Sequence, residues 1–262
     1  MSNDARSMGI LQNRTAIVSG AGNGIGRGIA LALAAAGANV VAAVRRQETG
    51  DETVAMIAAE GGAGLSVRTD IVVRADVEAL AAAAVAHFGG IDIVIHNANS
   101  GTSSRPAKLE EITEALWDEQ GAVALDGALF LAQAAYPFLK ASDAARFLVL
   151  TSSQGLAGNG RNPAYAAFKG AQRGFVKALA QEWGPDQITV NAIAPTAESD
   201  GAAAYFAANP GVRERVEGQV PLRRVGSPRD DVGDAVVALC SPYTRFITGQ
   251  TIGVNGGNYT AL

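Results

Sequence analysis

Hydrophobic and polar positions alternate along this chain in blocks rather than residue by residue. "TAIVSG" (15–20) is a short apolar run ending in Gly, as expected of a strand buried on both faces of a parallel sheet. "GIGRGIALALAAAG" (24–37) follows, Ala-rich and stopped by Gly37, and reads as a helix. The exchange then repeats through strand "NVVAAV" (39–44), helix "ETGDETVAMIAAEGG" (48–62), strand "GLSVRTD" (64–70), helix "RADVEALAAAAVAHFGG" (74–90) and strand "IDIVIHNA" (91–98). Residues 107–140 form a long helical stretch with a break expected near Gly121. "ARFLVLTSS" (145–153), a helix over Tyr165–Gly184, "ITVNAIAP" (188–195) and "GQTIGVNGG" (249–257) complete the series.

Such alternation predicts right-handed crossovers between parallel strands, hence an α/β sheet covered by helices on both faces. No linker or repeat interrupts it, so residues 1–262 are expected to form one domain. Residues 196–225 are the exception: helical in composition but patchy, they leave the end of the sixth strand. Ligands of open α/β sheets bind beyond the C-terminal strand ends, which makes this segment a candidate substrate lid.

Composition narrows the field. Hydrophobic residues are 48% and charged residues 18% of the chain, as suits a large core, and the net charge of −4 offers no general attraction to nucleic acid or an anionic membrane. The single cysteine, Cys240, excludes an internal disulfide, and His87 and His96 fit no metal-ligand spacing. The polar start "MSNDARSMGILQNRT" lacks an apolar signal core, and no apolar run is read as a membrane span, so a cytoplasmic protein is expected.

"SGAGNGIGRG" (19–28) joins the first strand to the first helix. Gly20, Gly24 and Gly26, with Asn23 and Ile25 between them, allow a tight turn that brings backbone N–H groups against a pyrophosphate at a helix N-terminus. The second strand ends in Val44, Arg45 and Arg46, where a carboxylate would select NAD(H) and an Arg accommodates a 2′-phosphate. This favours NADP(H) over NAD(H); the plainer reading is two solvated charges. Asp70 is either a partner for an adenine amino group, with Ile71 beside it, or an N-cap for the next helix.

One helical turn separates Tyr165 from Lys169 in "PAYAAFKG", which alone is an unremarkable surface pair. Together, "SGAGNGIG", "HNA", "TSS", "YAAFK", "NAIAP" and "ITGQTIGVNGG" stand in an order and spacing that resembles the short-chain dehydrogenase/reductases, 3-oxoacyl-carrier-protein reductases among them, over nearly the whole chain. The resemblance implies a seven-stranded, doubly wound Rossmann sheet, a nicotinamide cofactor, a small-molecule carbonyl or alcohol substrate and a homotetramer or homodimer. It implies Tyr165 as general acid/base, Lys169 as the residue that lowers its pKa and binds the nicotinamide ribose, and Ser152 as the holder of the substrate oxygen. Asn97 and Ala98 would line the cofactor crevice, and Pro195 and Thr196 the nicotinamide end. A phenol with an ordinary pKa of ~10 is a poor base at neutral pH, and a nearby ammonium favours its ionised form.

Four positions depart from the family pattern. Ala124 stands where an Asn usually holds a water near the lysine, Asn99 and Thr196 where Gly is usual, and His96 where Asn is usual. Ser199, like Thr196, could offer a hydroxyl at the nicotinamide end, and Tyr205 and Phe206 give the lid an apolar side. Arg213, Arg215, Arg223 and Arg224 are either contacts for an anionic substrate or solvated charges. The leading expectation is an oxidoreductase; the alternative is a cofactor-binding scaffold without turnover, since fold alone does not establish activity.

Overall fold

The computed structural model describes residues 9–103, 105–198, 203 and 206–260. Seven strands form one parallel sheet in the order β3-β2-β1-β4-β5-β6-β7. They are β1 (Thr15–Ser19), β2 (Asn39–Val44), β3 (Gly64–Arg68), β4 (Ile93–His96), β5 (Arg146–Leu150), β6 (Thr189–Pro195) and β7 (Thr251–Val254). All seven expected strands form, each within the apolar run that predicts it. The outermost residues of those runs become the loops at the carboxyl ends.

Helices α1 (Gly24–Ala35), α2 (Gln47–Ala59) and α3 (Arg74–Phe88) link the first four strands, and α7 (Pro163–Trp183) links β5 to β6 after a short turn, α6 (Gln154–Ala157). Each sheet face carries its own core. On one, Val77 and Leu80 of α3, Leu131 and Leu139 from the helix after β4, and Val176 and Trp183 of α7 pack over Ile17, Val94 and Phe147. On the other, Ile29 and Leu33 of α1 and Ile57 of α2 join Val232 and Val236 over Val18, Ile95 and Leu148. Strands buried on both faces need apolar residues at every position, which is why their sequences run without alternation.

Three expectations change. The stretch 107–140 is not broken at Gly121: α4 (Glu114–Gly121) passes through a π-turn (Ala122–Asp126) into α5 (Gly127–Ala141). A π-turn inserts a residue without ending the helix. Residues Glu114–Ala141 are therefore long and apolar enough to cross a membrane by length and composition alone, contrary to the sequence reading. Here, the buried side of α5 packs into the core with α3. Finally, Asp70 does not cap α3, whose N-cap residue is Val73; its carboxylate accepts instead from the Val72 N–H at 3.3 Å. Within the lid segment, Ala197 bridges Gly226 and Val212–Gln219 is helical. Ser199 and Tyr205 lie outside the described residues.

Candidate active site

The sheet order reverses direction between β1 and β4, so their following helices diverge to opposite faces and a crevice opens at the carboxyl ends. Gly20 (φ +67°) and Gly24 (φ +49°) turn the chain from β1 into α1 in a left-handed backbone that other residues resist. Gly26 is needed for space: a Cβ there would lie 2.1 Å from the Gly20 carbonyl oxygen. Asn23 is exposed at the start of α1 and Ile25 is half-buried beside it.

Next to this turn lies a cavity of about 390 Å³ lined by Gly20, Gly22, Val44, Arg45, Arg46 and Thr49. Both arginine side chains are exposed, and no carboxylate stands among the lining residues. A phosphorylated nucleoside fits this chemistry: backbone close enough to approach a phosphate, two guanidinium groups and an apolar strand end. Gly22 and Thr49 join Arg45 and Arg46 here only because α2 folds back on the glycine turn, and no local pattern marks them.

Asn97 is spent on the scaffold. Its Nδ2 donates to the Ser19 and Gly20 carbonyls at 3.0 and 3.2 Å, and its backbone N–H and that of Ala98 donate to Ser19 Oγ, both at 3.0 Å. Ala98 backs the glycine turn, 3.0 Å from where a Gly20 Cβ would be. Ile71 turns its side chain into the core against Gly127 rather than into the crevice. Pro195 and Thr196 end β6, where the Thr196 N–H donates to Val254 at 3.0 Å and its carbonyl accepts from Gly226 at 3.1 Å. Asp70 sits half-buried near the start of the loop that follows β3.

The second half of the site is assembled by α6 and α7. Asn162 caps α7, accepting from the Tyr165 N–H at 3.4 Å, and its own amide donates to Ser103 and Arg105, which ties the loop after β4 to the helix start. Gly155 lets α6 touch α7: a Cβ there would fall 2.5 Å from the Lys169 carbonyl carbon. Thr151 Oγ1 donates to that same carbonyl at 2.6 Å. These contacts bring Ser152, 9% exposed at the end of β5, against the Tyr165 hydroxyl, with Asn99 on the same hydroxyl. Lys169 Nζ lies 5.6 Å from the centre of the Tyr165 ring and donates to the Leu150 carbonyl at 2.7 Å. Sequence reasoning thus finds Ser152, Tyr165 and Lys169 together. It misses Asn99 as a neighbour of the phenol, although that residue was singled out as a departure.

Protonation differs from the expectation that the ammonium lowers the phenol. Burial dominates and raises the Tyr165 phenol above its ordinary value, with Ser152 and Asn99 pulling the other way. Lys169, 3% exposed, is lowered to about 7 by burial. His96, at the end of β4 where the family usually has Asn, is wholly buried and lowered to about 3, first by burial and then by the Lys169 charge.

Of the four lid arginines, Arg213 pairs with Glu198 and Glu217, Arg224 with Asp231, and Arg223 donates to the Gly218 carbonyl at 2.6 Å. Carboxylates already answer two of them, which weighs against a shared anion site. Among the described residues no group of three or more His, Cys, Asp or Glu side chains could hold a metal ion.

Comparison with known proteins agrees with this fold. A family model described as "Enoyl-(Acyl carrier protein) reductase" matches residues 20–259. The chain is 34% identical to a hydroxynaphthalene reductase-like protein of Metarhizium robertsii, covering 95% of this chain and 96% of that one. A short-chain dehydrogenase/reductase, glucose/ribitol dehydrogenase, from Brucella melitensis superposes with a TM-score of 0.88 at 30% identity, over 97% of this chain and 100% of that one. A 3-ketoacyl-(acyl-carrier-protein) reductase of the same organism, solved with NADH, does so with a TM-score of 0.86 at 30% identity, over 95% and 99%.

The buried lysine predicts a pH dependence of stability. The folded pKa lies near 7 and the ordinary value is 10.5, so between them the unfolded chain binds more protons and stability rises with pH. Wild-type protein should gain roughly 2–4 kcal/mol between about pH 7 and pH 9.5 relative to Lys169→Met, measured by urea unfolding. Parallel pH curves for the two proteins would show that Lys169 is not held in this state.

Proposed function

Because the chain belongs to the short-chain dehydrogenase/reductase family, and is an oxidoreductase of that family, we propose that it interconverts a secondary alcohol and a ketone on a nicotinamide cofactor. The observation that carries this reading is the meeting of Ser152 and Tyr165 at one hydroxyl, with the Lys169 ammonium over the phenol ring. A bound nicotinamide would supply or accept the hydride. As hydride reaches a carbonyl carbon, negative charge grows on its oxygen, which must be neutralised.

Tyr165 gives that oxygen its proton. With its pKa raised in the free protein, the phenol carries the proton at neutral pH, as a donor must. Ser152 donates a hydrogen bond to the same oxygen and orients it. Lys169 holds positive charge beside the phenolate left behind and binds the nicotinamide ribose. In the reverse direction the phenolate takes the proton from the alcohol. Gly20, Gly24 and Gly26 place backbone N–H groups at the pyrophosphate, with Asn23 and Ile25 around it; Asp70, Ala98, Pro195 and Thr196 line the remainder of the cofactor path.

NADP(H) is the preferred cofactor in this reading, supported by Arg45, Arg46 and Thr49 around the cavity beyond Val44. The NADH seen with the Brucella relative belongs to that protein, which makes this preference worth a direct measurement. The segment 196–225 serves as the lid over the substrate. A homo-oligomer completes the reading, supported by Phe246 and Tyr243, which are 101% and 86% exposed, and by Trp117 at 44%.

Three measurements test this. Tyr165→Phe should lower turnover on a ketone panel by about a thousandfold or more while cofactor binding stays measurable; near-normal rates would remove Tyr165 from the proton transfer. Arg45→Ala should weaken NADPH by about tenfold or more and leave NADH nearly unchanged, whereas equal losses would sink the 2′-phosphate assignment. Sedimentation should give a dimer or tetramer, and a monomer across the micromolar range would remove the oligomer.

A further inference from the structure

Asn99 stands where the family resemblance implies a glycine, and its backbone does not explain the change. Apart from glycines, the described residues with a left-handed backbone are Asn13, Gln187 and Arg223, so position 99 asks for neither Gly nor Asn on that ground. The residue is exposed, so it owes its place to no core packing. What it adds is a side-chain amide, and that amide hydrogen-bonds the Tyr165 hydroxyl.

The loop that carries Asn99 is held on both sides of it. Before it, the Ala98 N–H donates to Ser19 Oγ at 3.0 Å. After it, the buried Ser100 donates to Glu119 Oε1 of α4 at 2.8 Å, and the Ser103 hydroxyl donates to the Ser100 carbonyl at 2.8 Å. Asn162 joins this loop to the helix turn of Tyr165. Its amide donates to the Ser103 and Arg105 carbonyls at 2.8 and 3.2 Å, while its Oδ1 accepts from the Tyr165 N–H. The amide and the phenol are thus carried by one tied scaffold.

Ser152 Oγ accepts from the Gln154 N–H at 3.2 Å and has a single proton to give. In the reaction proposed for this site that proton goes to the substrate oxygen, so it cannot also serve the phenolate that Tyr165 becomes. Lys169 gives a donor to the Leu150 carbonyl and, lowered to about 7 by burial, is only partly charged at neutral pH. A phenolate accepts and cannot donate, whereas Asn99 offers two N–H donors and has no charge to lose. We propose that Asn99 is a further catalytic residue, whose Nδ2 donates to the Tyr165 oxygen as the proton leaves it for the substrate. No additional reactant enters: the proton passes from Tyr165 to the substrate oxygen, and the bond from Asn99 strengthens as negative charge takes its place. The catalytic role rests on the Tyr165 reading above; the support of a phenolate by Asn99 does not.

The charged group facing Tyr165 is Lys169, from its own helix. The loop after β5 presents Ser152 and the loop after β4 presents Asn99, both uncharged. Behind them stand His96, beside Lys169, and Glu119 of α4, engaged by Ser100 and Thr102. Removing a donor that favours the phenolate raises the pKa of the phenol. Asn99→Gly should therefore lower kcat for ketone reduction by about tenfold to a hundredfold with KM within about twofold, because the bond matters only as charge develops. In alcohol oxidation the phenolate is the base, so the rise of kcat/KM with pH should move about one pH unit to the alkaline side. Asn99→Asp keeps the shape but sets a carboxylate against the phenolate, and its kcat should fall below that of Asn99→Gly. A role in shape alone would leave the pH profile in place and rank Asn99→Asp above Asn99→Gly; either result would overturn the inference.

A readout without substrate separates this inference from the functional reading. NMR of ¹³Cζ-labelled tyrosine, with Tyr165 identified against Tyr165→Phe, gives the ionised fraction at the highest pH where wild type and Asn99→Gly both stay folded. Wild type should hold more phenolate, and equal fractions would overturn the inference. More phenolate in a wild type that turns over no ketone or alcohol would sink the functional reading and keep the Asn99 bond. Turnover with an unmoved profile would do the reverse.

Discussion

The carboxyl end of the sheet depends on a clamp between β1 and β4. Ser19 Oγ takes the backbone N–H groups of Asn97 and Ala98, and the Asn97 amide answers the carbonyls of Ser19 and Gly20. Here the two strands diverge into helices on opposite faces, so no continuing ladder is available to satisfy these groups. Left unmatched, each would cost about 1–3 kcal/mol, and the crevice would close or fray. With the clamp made, the glycine turn is held open and rigid, and the ligand-facing backbone is positioned before any ligand arrives. The same Ser19 hydroxyl fixes the tautomer of His96, so one side chain governs both the crevice floor and the polar groups beside Lys169.

Close backbone approach is the second constraint, and it accounts for glycines that no phosphate needs. A Cβ on Gly28 would lie 2.4 Å from the Pro228 carbonyl carbon, and one on Gly233 would meet Ala32 at 2.6 Å. Helix α1 therefore seats directly on the π-turn Pro228–Gly233, which fixes its angle and the aim of its N-terminus. Gly155 does the same service between α6 and α7. The two halves of the candidate site are each aimed by a glycine of this kind.

What the sequence made legible follows from how local each signal is. Buried parallel strands announce themselves because both faces demand apolar residues, and all seven were readable for that reason. Tyr165 and Lys169 were readable because a helix places i and i+4 together. The π-turn was not readable: "GAVALDGA" has ordinary helix-forming content, and its extra residue is stabilised by tertiary contacts such as the Gln172 amide. The N-cap alternative for Asp70 fails for a similar reason, since Asp before a polar-apolar run is an N-cap pattern, yet α3 starts four residues later. The resemblance puts Asn97 along the cofactor crevice, whereas the partners of its side chain were not legible, because they lie on a strand 78 residues away in sequence. Protonation was misread because it sums over surroundings: a lysine was visible in the sequence, whereas the burial that raises the phenol was not.

Burying an ammonium against one carbonyl is an expensive arrangement, and it explains why polar residues accumulate around Lys169 rather than elsewhere in the core. Replacing such a group by an apolar one commonly stabilises a fold, so its retention marks a requirement other than stability. The polar groups in its neighbourhood come from β4, β5, the π-turn and α7: His96, the Leu150 carbonyl that accepts from Lys169 Nζ, and the Gln172 amide bonded to the Ala124 carbonyl. A surround built from so many elements is rigid because each is anchored in its own core. It is also demanding, because a half-satisfied buried network is worse than none. Gln172 illustrates both: an apolar residue would fill its place on α7, yet the amide answers the Ala124 carbonyl on one side and leaves Oε1 buried without a partner among the described residues on the other.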